Sequence, residues 1–264
     1  MALKLPPLSC NAHCHVFGPS DRFAYSPDSP PPRADAPKDA LFALNDRLGL
    51  ERCVIVHSKV HGNDNGVTED AIATRPGTYR GVALVSTDVS DAELSRLDQA
   101  GFRGVRFHYM SHLGRREPAT DVLALGRRIA HLGWHLQIHG EPQVVLEAVI
   151  PRLLEGPALV VIDHIGRIDA GLGPEQPHIV QLRRLLENPR CWLKLSGIDR
   201  ITAQGPPYAD AIVIAARLAS DHPDRIVWGN DWPHPNHQGP VPDDEALARH
   251  IFTTSRPIPP CCAR

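Results

Sequence analysis

The stretch Ser9-Cys10-Asn11-Ala12-His13-Cys14-His15-Val16 reads as a short strand with histidines two residues apart. Side chains alternate between the two faces of a strand, so His13 and His15 share one face, about 7 Å apart along it. Two polar rings side by side in a core cost free energy unless they find partners. Seven further strand-like runs follow: Cys53–His57, Gly81–Ser86, Gly104–Tyr109, His135–His139, Ala158–His164, Trp192–Ser196 and Ile226–Asp231. Between them lie amphipathic, Ala/Leu/Arg-rich stretches near Pro37–Leu48, Val67–Thr74, Asp91–Ala100, Thr120–Leu132, Gln143–Leu154, Glu175–Glu187 and Ala209–Ser220, then a shorter one at Asp243–Phe252. Ser90 and Glu93 have capping-box spacing, and Gly101 and Gly133 stand where helices stop.

Strands alternating with helices imply βαβ units and a parallel sheet. Eight of each predict a single-domain (β/α)8 TIM barrel, although a doubly wound sheet reads alike in any one unit. The length of 264 residues suits one such barrel, typically about 250 residues. The Pro-rich Ser26–Arg33, after the first strand, is expected to form a long loop over the barrel mouth.

Composition narrows the function. Lys+Arg number 28 and Asp+Glu 30, which argues against a basic nucleic-acid face. The longest clean apolar run, Ala211–Ala216, is far short of the roughly 20 residues of a membrane helix. The opening MALKLPPLSC lacks the apolar stretch of a signal peptide. Six cysteines without a Cys-x-x-Cys pair fit neither a disulfide scaffold nor a structural zinc site, and a reduced, cytoplasmic protein is expected. Histidine is the outlier, with 15 against four Trp and four Tyr. It is the usual residue for proton transfer and metal ligation near neutral pH.

The polar residues cluster at expected strand ends: His13 and His15 in the first, His139 in the fifth, His164 in the sixth, Asp231 in the eighth. Barrel enzymes keep their active sites at that face. Four imidazoles and a carboxylate suit a divalent metal, and equally an acid–base cluster without one. His57 and His61 flank the end of the second strand and are candidates for the pocket wall. No Gly-x-Ser-x-Gly elbow, phosphate loop, dinucleotide fingerprint or deaminase Pro-Cys-x-x-Cys is present.

Three motifs carry a family resemblance: Asn-Ala-His-Cys-His-Val-Phe-Gly-Pro (11–19), Val-Ile-Asp-His-Ile-Gly-Arg (161–167) and Val-Trp-Gly-Asn-Asp-Trp-Pro-His-Pro-Asn (227–236). They resemble the amidohydrolase-related barrel hydrolases, most of all the 2-pyrone-4,6-dicarboxylate hydrolases and their sugar-lactonase relatives. The resemblance implies hydrolysis of a lactone of a small anionic substrate, with no metal or with one divalent ion, zinc or manganese. It implies His13, His15, His164 and Asp231 as catalytic, and His13, His15, His139, His164 and Asp231 as the ligands of any metal. Arg106, Arg167, Arg200 and Asn236 fall where the family contacts substrate carboxylates, for which guanidinium forks are suited.

Four positions depart from the family's pattern. Pro31 and His139 replace tyrosines, His112 replaces a second substrate-contacting arginine, and Lys59 stands where a small polar residue is expected. His139 and His112 remain candidates for the substrate wall. The implied mechanism has Asp231 take a proton from water and return it to the departing ring oxygen, while the imidazoles, with or without metal, polarise the carbonyl. Two rival readings are a metal-dependent decarboxylase of an aromatic or muconate-like acid and a non-catalytic binder of an anionic metabolite. Only 33 residues follow Asp231, and the helical pattern fades after Phe252. Family members continue with further helix, so residues 253–264 are expected to be an irregular tail of a truncated or frame-altered C-terminus.

Overall fold

A computed structural model describes residues 5–114, 116–237 and 240–254. Eight parallel strands pair in sequence order: β1 (Cys10–Cys14), β2 (Arg52–Val56), β3 (Tyr79–Ala83), β4 (Phe102–Tyr109), β5 (His135–Gly140), β6 (Leu159–Ile162), β7 (Cys191–Leu195) and β8 (Ile226–Trp228). The intervening helices are α1 (Lys38–Leu48), α2 (Gly66–Thr74), α3 (Asp91–Gln99), α4 (Ala119–Ile129), α5, α6 (Pro177–Leu186), α7 (Ala209–Asp221) and α8 (Asp244–Thr254). The α5 helix begins at Pro142–Val144, loosens into a π-helical stretch at Val145–Val149 and ends with Ile150–Leu153. Each expected unit is present, and the (β/α)8 barrel is the fold.

Outward-facing strand residues such as Leu136, Ile138, Val160, Ile162, Leu193 and Leu195 pack under the helices in one large apolar cluster. The barrel interior is polar instead. Lys194 on β7 reaches across it to the Gln137 Oε1 of β5 at 2.7 Å and the Ala12 carbonyl of β1 at 2.8 Å. Gly104 is dictated by this filling, because a Cβ there would lie 2.6 Å from the buried His135 ring.

The barrel closes at its seam by backbone bonds just beyond β8. The Asp231 amide donates to the His13 carbonyl (2.9 Å), and the His15 amide to the Trp232 carbonyl (2.7 Å). Asn11 and Asn230 bond across the same seam. At Gly229 a Cβ would meet the His13 amide nitrogen at 2.4 Å, so only glycine permits this approach.

The ladders are shorter than the sequence suggests at several carboxyl ends. His15, His57, Asp163, His164, Ser196 and Asp231 all lie just past them. The α8 helix runs to Thr254, two residues beyond Phe252, so the irregular tail does not begin at 253. The rest of that expected tail, residues 255–264, lies outside the described residues. Among the described residues no helix is long and apolar enough to cross a membrane.

Candidate active site

A cavity of about 200 Å³ opens at the carboxyl end of the barrel. Its wall includes nine of the ten residues anticipated from sequence: His15, Arg106, His112, His139, His164, Arg167, Arg200, Asp231 and Asn236. His13 lies just beneath, fully buried against Asp231. Ser29, from the Pro-rich loop, also lines the cavity, as expected of a loop over the mouth. His57 and His61 do not line it. His57 Nδ1 pairs with the Thr68 hydroxyl, while His61 holds that loop, donating to the Ala24 carbonyl and accepting from the Gly18 amide.

Asp231 is the hub. Its Oδ1 lies 3.2 Å from His15 Nε2, 3.5 Å from His13 Nε2 and 4.0 Å from His164 Nε2. Its Oδ2 receives Arg200 Nε at 2.5 Å, and the Arg200 Nη2 donates to the Pro235 carbonyl at 2.7 Å. The backbone delivers these groups through left-handed turns, with φ of 51° at His164, 56° at Arg167, 64° at Asp231 and 61° at Asn236. Non-glycine residues seldom adopt that region, and such strain concentrates at functional sites. Burial alone would raise the Asp231 carboxyl, but Arg200 and the imidazoles outweigh it and hold the group well below the usual range. Burial pushes His164 and His139 well below the ordinary histidine value and His13 down to about 3. At neutral pH the site is therefore an ionised carboxylate beside neutral His13, His139 and His164.

Beneath it lies a second carboxylate to which the sequence reading gave no role. Asp163 Oδ2 accepts from Arg106 Nε (2.8 Å) and Gln137 Nε2 (3.0 Å), and its Oδ1 stands 3.3 Å from His13 Nδ1. Lys194 lies 4.0 Å from the same oxygen, and burial pushes its ammonium down to about 8 against the opposing pull of Asp163. His108 was missed as well: its Nδ1 is 3.3 Å from that of His139, which leaves His139 beside His164 but outside the tight ligand groups. Ser196 Oγ contacts His164 Nδ1 at 3.0 Å. The missed residues other than Asp163 carry the signal that exposed His13 and His15, a polar side chain two positions from another: Arg106/His108, Gln137/His139, Lys194/Ser196.

The donor set suits a cation. His13, His15 and Asp231 offer ligand atoms all within 4.8 Å of one another. A carbonyl only accepts, so His15 Nδ1, 2.7 Å from the Val56 oxygen, must donate to it. In the neutral ring Nε2 then turns a lone pair toward Asp231 Oδ1, and that 3.2 Å contact calls for a proton or a metal ion between two acceptors. Neither His13 ring nitrogen completes a hydrogen bond, so Nε2 is free to ligate. His164 groups with His13 and Asp163 instead.

A barrel with His-x-His on its first strand and an aspartate after its last defines an amidohydrolase. The amidohydrolase family model matches residues 10–259, and the chain belongs to that family. It is 39% identical to the 2-pyrone-4,6-dicarboxylate hydrolase of Comamonas testosteroni, over 94% of this chain and 84% of that protein. It is 34% identical to the 4-sulfomuconolactone hydrolase of Rhizobium radiobacter, over 94% and 83%. Among solved structures it is similar to a probable 2-pyrone-4,6-dicarboxylic acid hydrolase of Acinetobacter baumannii with citric acid bound. The TM-score is 0.82 at 25% identity, covering 93% of this chain and 91% of that one.

Proposed function

We propose that this chain opens the ring of a small anionic lactone, such as a pyrone dicarboxylate or a sugar-acid lactone, by water attack on the ring carbonyl. The observation that carries this reading is a buried, ionised Asp231 touched by three imidazoles and bordering a cavity that also holds the Arg167 guanidinium. Among the described residues Arg167 has no carboxylate in ion-pair contact and is left to meet an anionic ligand.

Asp231 accepts the proton of a water placed over the carbonyl and later returns it to the ring oxygen as the C–O bond breaks, base becoming acid. Arg200 fixes the Asp231 carboxylate through Oδ2, leaving Oδ1 to the imidazole side. His164, whose Nε2 carries the ring proton when Nδ1 accepts from the Ser196 hydroxyl, donates to the carbonyl oxygen and stabilises the charge developing there. His13, His15 and Asp231 would hold a divalent metal; bound there, it would supply Lewis-acid polarisation and a more acidic water. Both relatives above are named as hydrolases of lactone rings, which supports the same chemistry here.

The test is turnover of 2-pyrone-4,6-dicarboxylate and a panel of sugar-acid lactones, followed by loss of pyrone absorbance or by acid release. Ring opening without gas is the expected result. Carbon dioxide release would instead identify a decarboxylase, and ligand recovered unchanged a binding protein.

A further inference from the structure

Positive charge on the cavity wall is unevenly compensated. Four basic side chains line the cavity: Lys59, Arg106, Arg167 and Arg200. Arg106 is paired with Asp163 and Arg200 with Asp231. Among the described residues, Lys59 and Arg167 have no carboxylate in ion-pair contact. The Lys59 ammonium donates to the Leu113 carbonyl, and of its three donors that bond uses one. It is only half-buried, and it also lines a second cavity, along Asn63, Ser86 and Phe107, so there is room beyond it.

The two uncompensated cations face each other across the mouth. Lys59 follows β2 and Arg167 follows β6, and in an eight-stranded barrel paired in sequence order these strands are diametrically opposed. The reacting groups come from β1, β6 and β8, and β8, which delivers Asp231, stands midway between β2 and β6. A ring seated over Asp231 with one anionic group on Arg167 therefore directs its opposite edge toward Lys59.

We infer that Lys59 is a specificity-determining residue that binds a second anionic group, carboxylate or sulfonate, on the ring edge remote from Arg167. The preferred substrate class is then a lactone with two anionic groups across the ring. This rests on the lactonase reading above, and the Leu113 bond fixes the ammonium at the rim by joining the loops after β2 and β4.

The experiment compares kcat/KM for 2-pyrone-4,6-dicarboxylate with that for the better of the two monocarboxylated 2-pyrones, in wild type, Lys59→Met and Lys59→Arg. Losing one charge-assisted contact should lower this selectivity ratio about 10- to 100-fold in Lys59→Met, chiefly through the KM of the dianion, with recovery in Lys59→Arg. A purely structural role for the Leu113 bond would lower both substrates together and leave the ratio unchanged, which overturns the assignment. Repeating the series with a sulfonate in place of one carboxylate identifies which anion Lys59 prefers. Citrate titrated by calorimetry reads the same residue without turnover: weaker binding to Lys59→Met supports the assignment, and equal binding refutes it. If wild type opens no lactone, the functional reading fails while the citrate arm still decides on Lys59.

Discussion

The two sides of the barrel mouth are built differently. On the side of β6, β8 and β1, His13, His15, His164 and Asp231 are buried, Arg200 largely so, and they are tied to one another; all five were anticipated from sequence. On the side of β2, β4 and β5 stand Lys59, His108, His112 and His139, where the chain departs from its family or where the reading missed a residue, and several of these are half-exposed or exposed. The first side holds groups in fixed mutual geometry, as chemistry requires. The second presents donors to a ligand and can change without unmaking the frame.

Replacing Asp231 with Asn is the severest test of the first side. It removes the proposed base while keeping shape, and kcat should fall by about a thousandfold or more, with citrate affinity nearly unchanged by calorimetry. Retained turnover would erase the distinction between the two sides.

Asp163→Asn probes the layer beneath. Asp163 faces His13 and neutralises buried Arg106 and Lys194, so the loss should cost about 3 kcal/mol in denaturant unfolding. It should also lower kcat by about 10- to 100-fold with KM little moved. A rise in KM alone would place Asp163 on the recognition side instead.

Acid stability reads the buried scaffold histidines together with those of the site. Burial lowers His57 to about 3 and His135 to about 4. An unfolded imidazole takes up its proton as pH drops through about 6.5, while these folded ones do so only near 3 and 4, so stability is lost across that window. Each contributes about 1.4 kcal/mol per pH unit. Melting temperature should therefore fall steadily from pH 6.5 toward 4.5, and His135→Asn should flatten the slope. The smallest effect belongs to His112, exposed at the rim. His112→Ala should change kcat/KM by about twofold or less, as surface replacements do.

The eight-unit rhythm was legible because apolar outward faces such as Leu136/Ile138 and Leu193/Leu195 must pack under helices, and Ser90 caps α3 through the Glu93 amide as its spacing anticipates. His13 and His15 were legible from strand period alone. Asp231 and His164 lie past the ladders in left-handed turns where alternation no longer governs direction; their position at the ends of strand-like runs brought them to the site, and motif resemblance gave them their roles. Asp163 stayed hidden because its partners His13, Arg106 and Gln137 come from β1, β4 and β5, far apart in sequence and brought together only in the barrel. The pairing of Arg200 with Asp231 was hidden as well, because it joins turns past the neighbouring strands β7 and β8 whose directions the strand period does not set.

Turnover of an anionic lactone in 18O-labelled water tests the central claim most directly. Attack on the ring carbonyl should place one heavy oxygen in the newly formed carboxylate and none in the hydroxyl or enol released from the ring oxygen, and Asp231→Asn should abolish incorporation. Label on the ring-oxygen carbon, or product formed without label, would contradict water attack at the carbonyl.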